Sequence, residues 1–212
     1  MVLAAAPVTD AAYDMALALL DRVPLIDGHN DLPYVVRLDR TAKGDLSAYD
    51  LGKVHPETDT DIPRMQAGKL AGQFFAAYVP PNHPKPAGFA LAQIALMRRI
   101  WERHADVFRP GLSADDVEAA KKEGRIALFM TIENGSALDN ELDALDAYWD
   151  LGVRLMTLCH NDTHDWCDSA TDAPRHNGLA AFGKEVIGRM NRLGMIVDLA
   201  HVSPKVMHDV LD

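Results

Sequence analysis

The stretch Ile126-Ala-Leu-Phe-Met-Thr-Ile-Glu133 decides how this chain is read. Seven apolar or β-branched residues end on a carboxylate, and Asn134-Gly135 turns the backbone immediately afterwards. A short continuous apolar run bounded by turn residues is the pattern of a strand buried on both faces, as in a parallel sheet. Taken alone, a strand-end Glu is equally well explained by solvation or by capping of the next helix. The deciding question is whether other strands end in the same way.

Working outward, similar runs predict strands at residues 24–28, 73–79, 153–158 and 195–200. Helical patterns predict helices at about 12–20, 89–103, 114–123, 140–151 and 179–193, the last stopped by Gly194. Strands alternating with longer helical patterns are the mark of parallel βα units. Five strands do not close an eight-stranded barrel. An open doubly wound sheet usually places a glycine-rich phosphate turn after its first strand, yet His29-Asn30-Asp31 stands there. The expectation is therefore an α/β chain of the (β/α)8 TIM-barrel class that supplies about the first five βα units. It is read as one domain over residues 1–212, truncated at its C-terminal end. At this rate eight units require roughly 340 residues, within the size range of such barrels.

Between the first two strands a polar stretch from Arg37 to Gly72 is too long for an ordinary βα loop and is expected to carry function or extra structure. Pro80, Pro81, Pro84 and Pro86 then mark a rigid turn after the second strand.

Four of the five predicted strands end in His, Asp or Glu. In Leu25-Ile-Asp-Gly-His-Asn-Asp-Leu-Pro33, His29 and Asp31 are two apart; on extended backbone they point to one side and can converge on one ion, although a turn-capping role also fits. His160 follows the fourth strand, and His201 closes Met195-Ile-Val-Asp-Leu-Ala200 ahead of a Ser203-Pro204 helix start. His160 and His164 share helical i, i+4 spacing, but the stretch is polar and leaves a strand, so a helical zinc pair is a weak reading. Asp198 is read as structural, on the side of its strand opposite His201. His55, His83, His104, His176 and His208 lack strand-end placement and are read as surface or loop residues. A parallel barrel gathers strand ends at its C-terminal face, where barrel active sites lie.

Composition narrows the classes. With 48% hydrophobic and 25% charged residues the chain is not of disordered type. A net charge of −10 argues against a nucleic-acid partner, which requires a cationic surface. Cys159 and Cys167 form neither a disulfide framework nor a zinc-ribbon spacing and are read as free thiols in a reducing compartment. Residues 1–6 lack a basic leader region, and the next apolar stretch is broken by Asp10, Asp14 and Asp21. No membrane span is expected, and the cytoplasm is the expected location.

Six collinear motifs carry a resemblance: Asp27-Gly-His-Asn-Asp-Leu-Pro33, Asp61-Ile-Pro-Arg64, Gly72-Gln-Phe-Phe-Ala-Ala-Tyr78, Ile132-Glu-Asn-Gly135, Leu158-Cys-His160 with Asp165-Trp-Cys-Asp-Ser-Ala-Thr-Asp172, and Asp198-Leu-Ala-His-Val-Ser203. Together they resemble the membrane dipeptidase (renal dipeptidase) family, peptidase family M19, among the amidohydrolase-like metal-dependent barrels. The resemblance implies a zinc metalloprotease that hydrolyses dipeptides, including those with a C-terminal D-residue. It implies a binuclear site with two Zn ions: His29 and Asp31 on one, Glu133 bridging both, His201 on the second. His160 would contact the substrate, which makes His160 and Glu133 the catalytic candidates.

Two metal ions about 3.5–4 Å apart can hold a bridging water and lower its pKa towards neutrality, so that hydroxide attacks the scissile carbonyl. The family pattern continues with a further histidine, an arginine and an aspartate that have no counterpart in this sequence. The resemblance also implies a homodimer, and a complementing C-terminal chain is the other expected partner. Two other readings remain: a related amidohydrolase acting on a non-peptide amide or lactam, and a non-catalytic paralogue or subunit completing another chain's barrel.

Overall fold

Strands paired only in parallel alternate with helices through residues 10–212, the part of the chain that the computed structural model describes. Residues 1–6, read above for a leader region, lie outside it. A first helix, α1 (Asp10–Arg22), leads into β1 (Leu25–Asn30), followed by α2 (Leu32–Leu38) and α3 (Ile62–Ala67). Then come β2 (Leu70–Tyr78), α4 (Pro86–Arg103), β3 (Phe108–Pro110) and α5 (Ala114–Lys122). The second half comprises β4 (Ile126–Glu133), α6 (Ala144–Asp150), β5 (Val153–Thr157), α7 (Ala181–Leu193), β6 (Ile196–Asp198) and α8 (Pro204–Leu211). Among the described residues no helix is long and apolar enough to cross a membrane.

The sheet order is β1-β2-β4-β5-β6, a half-barrel of the TIM type. All eight residues of β4 are buried, which is why its sequence is continuously apolar instead of alternating. One edge of β4 pairs with β2 from Ala127 to Glu133. Its other edge is shared, with β3 beside Ile126–Leu128 and β5 beside Met130–Glu133. The short β3 was not among the five expected strands, because Phe108-Arg-Pro110 has no apolar run to announce it.

Register assigns the two faces. Glu133 is level with Tyr78 and Thr157, and Thr157 with Asp198. On the same face two residues earlier along each strand stand Ala76, Thr131, Leu155 and Ile196, since side chains two apart share a face. Deeper on that inner face Phe74 and Phe129 stack with ring centroids 4.4 Å apart. Val117 and Ala120 of α5 pack against them, closing the barrel at the end away from Glu133. The outer face, with Phe75, Leu128, Met130, Ile132 and Met156, belongs to the main core with residues of α4, α6 and α7.

The polar stretch after α2 does contain extra structure. Asp61 is fully buried at the N-cap of α3, where its carboxylate accepts the N–H groups of His55 (2.9 Å) and Arg64 (2.9 Å) and the Arg64 Nε (2.7 Å). That clamp fixes the excursion between β1 and β2. The helix expected from residue 140 begins at Ala144 instead, because Asp139 and Asn140 adopt left-handed φ of +51° and +61° after a 3₁₀ turn at Gly135–Leu138.

The segment between β5 and α7 folds back over the strand ends. Buried Asp168 organises it by accepting the backbone N–H groups of Arg175 (2.8 Å), His176 (3.1 Å) and Gly178 (2.8 Å). Burial opposes ionisation, but these three donors outweigh it and hold the Asp168 carboxyl below the usual carboxylate range. Bridges from Cys167 to Leu179 and from Ser169 to Val202 stitch the segment together. Both cysteines are free, and both are buried. Trp166 lies against Gly135, where an added Cβ would sit 2.3 Å from the indole and 2.6 Å from the Leu158 carbonyl oxygen.

Two predictions follow from this packing. A Gly135→Ala substitution overpacks the contact with Trp166 and should cost about 1–3 kcal/mol in urea unfolding; an unchanged midpoint would show that the indole has room to move. For Asp168 the folded pKa is depressed, so its stabilisation is present above the unfolded value of about 3.9 and lost as pH falls through the folded value. Asp168→Asn should therefore melt lower than wild type at pH 7 and lose less stability on acidification to about pH 3, followed by circular dichroism.

Candidate metal centre

Each candidate ligand owes its position to the end of a strand. His29 is the penultimate residue of β1, and Asp31 stands between β1 and α2. Asp31 occupies the N-cap of α2, yet its side chain caps nothing. Asn30 does that work instead, accepting the Leu32 N–H (2.9 Å) and donating to Thr60 Oγ1 (2.8 Å). Asp31 is thereby released towards the barrel mouth, and its Oδ1 is buried with no hydrogen-bond partner.

Glu133 ends β4 and is 3% exposed. Asn134, at φ +90°, donates to the Val79 carbonyl (2.9 Å) and accepts the Ser136 N–H (3.1 Å), so the chain turns away directly after the carboxylate. His160 lies three residues beyond β5, and His201, at φ +67°, three beyond β6. A non-glycine residue held left-handed is strained, and such strain concentrates at functional sites.

These five side chains meet around the Glu133 carboxylate. Its Oε2 lies 3.5 Å from His29 Nε2, which is itself 3.5 Å from Asp31 Oδ2. Its Oε1 lies 3.4 Å from His201 Nε2 and 3.6 Å from His160 Nε2. The rings of His160 and His201 are 4.4 Å apart. The arrangement makes two groups, His29/Asp31/Glu133 and Glu133/His160/His201, each with ligand atoms within 4.8 Å of one another.

Electrostatics separates the two sides. Hydrogen bonding to Asp31 and Glu133 raises the pKa of His29 to about 10, against the opposing effect of burial. His160 is pushed the other way, with burial lowering its pKa against the pull of Glu133. Without a bound cation the carboxylates thus draw a proton onto His29. The donor set fits a divalent ion of the zinc type: imidazole nitrogens and carboxylate oxygens are its usual ligands, and the buried orphan Oδ1 of Asp31 is a lone pair in want of a positive partner.

All five residues singled out from the sequence therefore come together. His164 does not join them; its Nε2 is 2.9 Å from the Leu158 carbonyl oxygen within the folded-back segment. Nor do His55, His83, His104, His176 or His208 belong to either group. Asp198 corrects the sequence reading. β6 stops at Asp198, so strand alternation does not extend to His201, and both residues line one cavity of about 520 Å³ together with His29, Glu133 and Thr157. The Thr157 hydroxyl donates to Asp198 Oδ2 at 2.6 Å.

The sequence reading missed Tyr78, whose hydroxyl is 3.5 Å from His160 Nδ1 and whose ring meets the imidazole edge-on at 4.8 Å. Its signal was available: the strand predicted at residues 73–79 is the one ending in neither His, Asp nor Glu, and the observed β2 closes on Tyr78. A second cavity of about 390 Å³ adjoins the site, lined by His29, Asp31, Glu57 and Asp59 among others.

Comparison with known proteins agrees with this geometry. The membrane dipeptidase family (peptidase family M19) matches residues 13–212. Dipeptidase 3 of Rattus norvegicus is 33% identical over 207 residues, covering 94% of this chain and 41% of that protein. In fold, the chain resembles the probable dipeptidase PvdM from Pseudomonas aeruginosa, with a TM-score of 0.80 at 24% identity over 93% of this chain and 51% of that one. It also resembles a metallo peptidase from Rhodobacter sphaeroides solved with a phosphinate mimic of the dipeptide L-Ala-D-Ala, with a TM-score of 0.72 at 24% identity over 89% of this chain and 61% of that one. The chain thus spans about half the length of the relatives it matches, or slightly less or more. With the family match running from residue 13 to the last residue, and the candidate ligands gathered at the strand ends, the chain belongs to the membrane dipeptidase family, peptidase family M19.

Proposed function

We propose that the chain provides the metal-binding half of a two-zinc dipeptidase that cleaves the peptide bond of dipeptides, including those with a C-terminal D-residue. The observation that carries this reading is the division of labour at Glu133, whose two oxygens face separate groups of nitrogen and oxygen donors. In this reading His29 and Asp31 hold one ion, His201 the other, and Glu133 both. Two divalent ions bound there would supply a nucleophile at neutral pH and a positive charge for the scissile carbonyl.

The remaining side chains have work of their own. His160 Nε2 is directed at the site while Nδ1 faces the Tyr78 hydroxyl. A hydroxyl donating to Nδ1 leaves the proton on Nε2, the tautomer that donates a hydrogen bond to a carbonyl oxygen as it gains charge. Burial lowers the pKa of that imidazole against the pull of Glu133, which favours a neutral donor over a fixed cation. The dipeptide substrate class is supported by the family and by the dipeptide mimic in the Rhodobacter relative. The sheet ends on β1 and β6, so turnover is proposed for the completed barrel, whether further strands come from the same polypeptide or from a complementing one.

Three substitutions separate the roles in the completed barrel, with zinc measured by atomic emission and turnover on a panel of L,L- and L,D-dipeptides. Glu133→Gln should lose affinity for both ions, roughly 10–100-fold or more, and His201→Ala should lose one. His160→Ala should retain both ions and drop kcat by about 10²–10³-fold, the scale of a lost oxyanion donor. If His160→Ala instead lost an ion, its imidazole would be a ligand and the assigned role wrong. On the same preparation dipeptides should outperform simple β-lactams; the reverse ranking would favour a related amidohydrolase.

A further inference from the structure

We infer that Ser169 is a positioning residue for the second metal: its hydroxyl sets the spacing of His160 and His201, an inference that rests on the two-metal reading above. The ladder between β5 and β6 ends at Thr157 and Asp198. Both histidines lie three residues past it, where strand pairing no longer fixes the distance between them. Their rings are nevertheless 4.4 Å apart and both address Glu133 Oε1.

Ser169 joins their main chains. Its Oγ donates to the His160 carbonyl oxygen at 2.7 Å and shares that hydrogen with the His201 carbonyl oxygen at 3.3 Å. On its acceptor side the same oxygen receives the Thr171 N–H at 3.3 Å. A hydroxyl has one hydrogen; the Thr171 hydroxyl lies 3.4 Å away and donates to the Asn161 carbonyl, and the much shorter contact directs the Ser169 hydrogen chiefly to the His160 carbonyl.

The serine is itself held firmly. It is 3% exposed, its N–H donates to Thr163 Oγ1 at 3.0 Å, and it bridges to Val202 next to His201. The neighbouring Ala170 N–H donates to the His201 carbonyl at 2.8 Å, and the Cys159 thiol approaches the same oxygen at 3.7 Å. Three donors therefore converge on the carbonyl of a left-handed, non-glycine residue. Conformations of that kind persist when their surroundings over-determine them. The His160 carbonyl, by contrast, has no hydrogen-bond donor besides Ser169 among the described residues. Losing the hydroxyl would remove one donor from the carbonyl of His201, the proposed ligand, and untie it from the His160 main chain, while leaving His29 and Asp31 untouched; the effect on the ion runs through His201.

The experiment is a zinc titration of the full chain against a chromophoric chelator, repeated with cobalt(II) to read its visible absorption, on wild type and four variants. Ser169→Ala should weaken one of two zinc-binding steps by about ten- to a hundredfold, the range for groups that orient metal ligands, and alter the cobalt spectrum of that step alone. Ser169→Thr keeps the hydroxyl and should restore both, while Ser169→Cys, with a weak donor, should fall between. Asp172→Asn loses one of the two carboxylate oxygens that accept from Thr163 and Ala173 in the same segment and should leave both steps at wild-type strength. If Ser169→Ala does not fold, the Thr and Cys variants decide the matter by the same ranking. Unchanged binding in Ser169→Ala, or an equal loss in Asp172→Asn, overturns the positioning role while leaving the two-metal reading intact. Absence of zinc binding in wild type overturns both.

Discussion

Burying a carboxylate costs several kcal/mol unless positive charge or hydrogen-bond donors stand close to it, and Glu133 is buried at the end of the most enclosed strand of the sheet. Three imidazoles lie within 3.4 to 3.6 Å of its two oxygens. Burial lowers the pKa of His160 against the pull of Glu133, whereas hydrogen bonding to Asp31 and Glu133 raises that of His29. In the proposed reading, cations seated between the carboxylate and its neighbours supply the rest of that compensation. The positions of the other elements make sense as a means of meeting that constraint.

Parallel pairing is what brings the ligands together. Because β2, β5 and β6 run in register with β4, their last residues Tyr78, Thr157 and Asp198 arrive level with Glu133. The apolar layer of Phe74 and Phe129, sealed by α5, fills the opposite end. The polar floor of the site thus rests on a packed core. Loops then aim the side chains that the ladder does not reach: Asn30 takes over the helix cap so that Asp31 is free, Asn134 turns the chain after Glu133, and Asp168 folds the β5–α7 segment back over His160 and His201.

The half-barrel and the cluster of candidate ligands were legible in sequence because parallel strands buried on both faces write themselves as apolar runs, and because strand ends are where barrels keep their chemistry. β1, β2, β4 and β5 were found within a few residues of their true bounds. Three features were hidden for physical reasons. β3 is three residues long and pairs only with the beginning of β4, leaving no periodicity to detect. The helix start after β4 was displaced because Asp139 and Asn140 adopt left-handed backbone that their side chains tolerate but do not announce. Asp198 was assigned to the wrong side because alternation was extended beyond the end of β6 into a turn where His201 reverses the backbone.

The claim on which everything else rests is that the Glu133 carboxylate is shared by two metal ions, one on the His29 and Asp31 side and one on the His201 side. Anomalous diffraction from zinc-loaded crystals, recorded on both sides of the zinc absorption edge, locates the ions directly. The account predicts two peaks flanking Glu133, one beside each of its oxygens. A single peak, or zinc bound elsewhere with Glu133 uncoordinated, would contradict it.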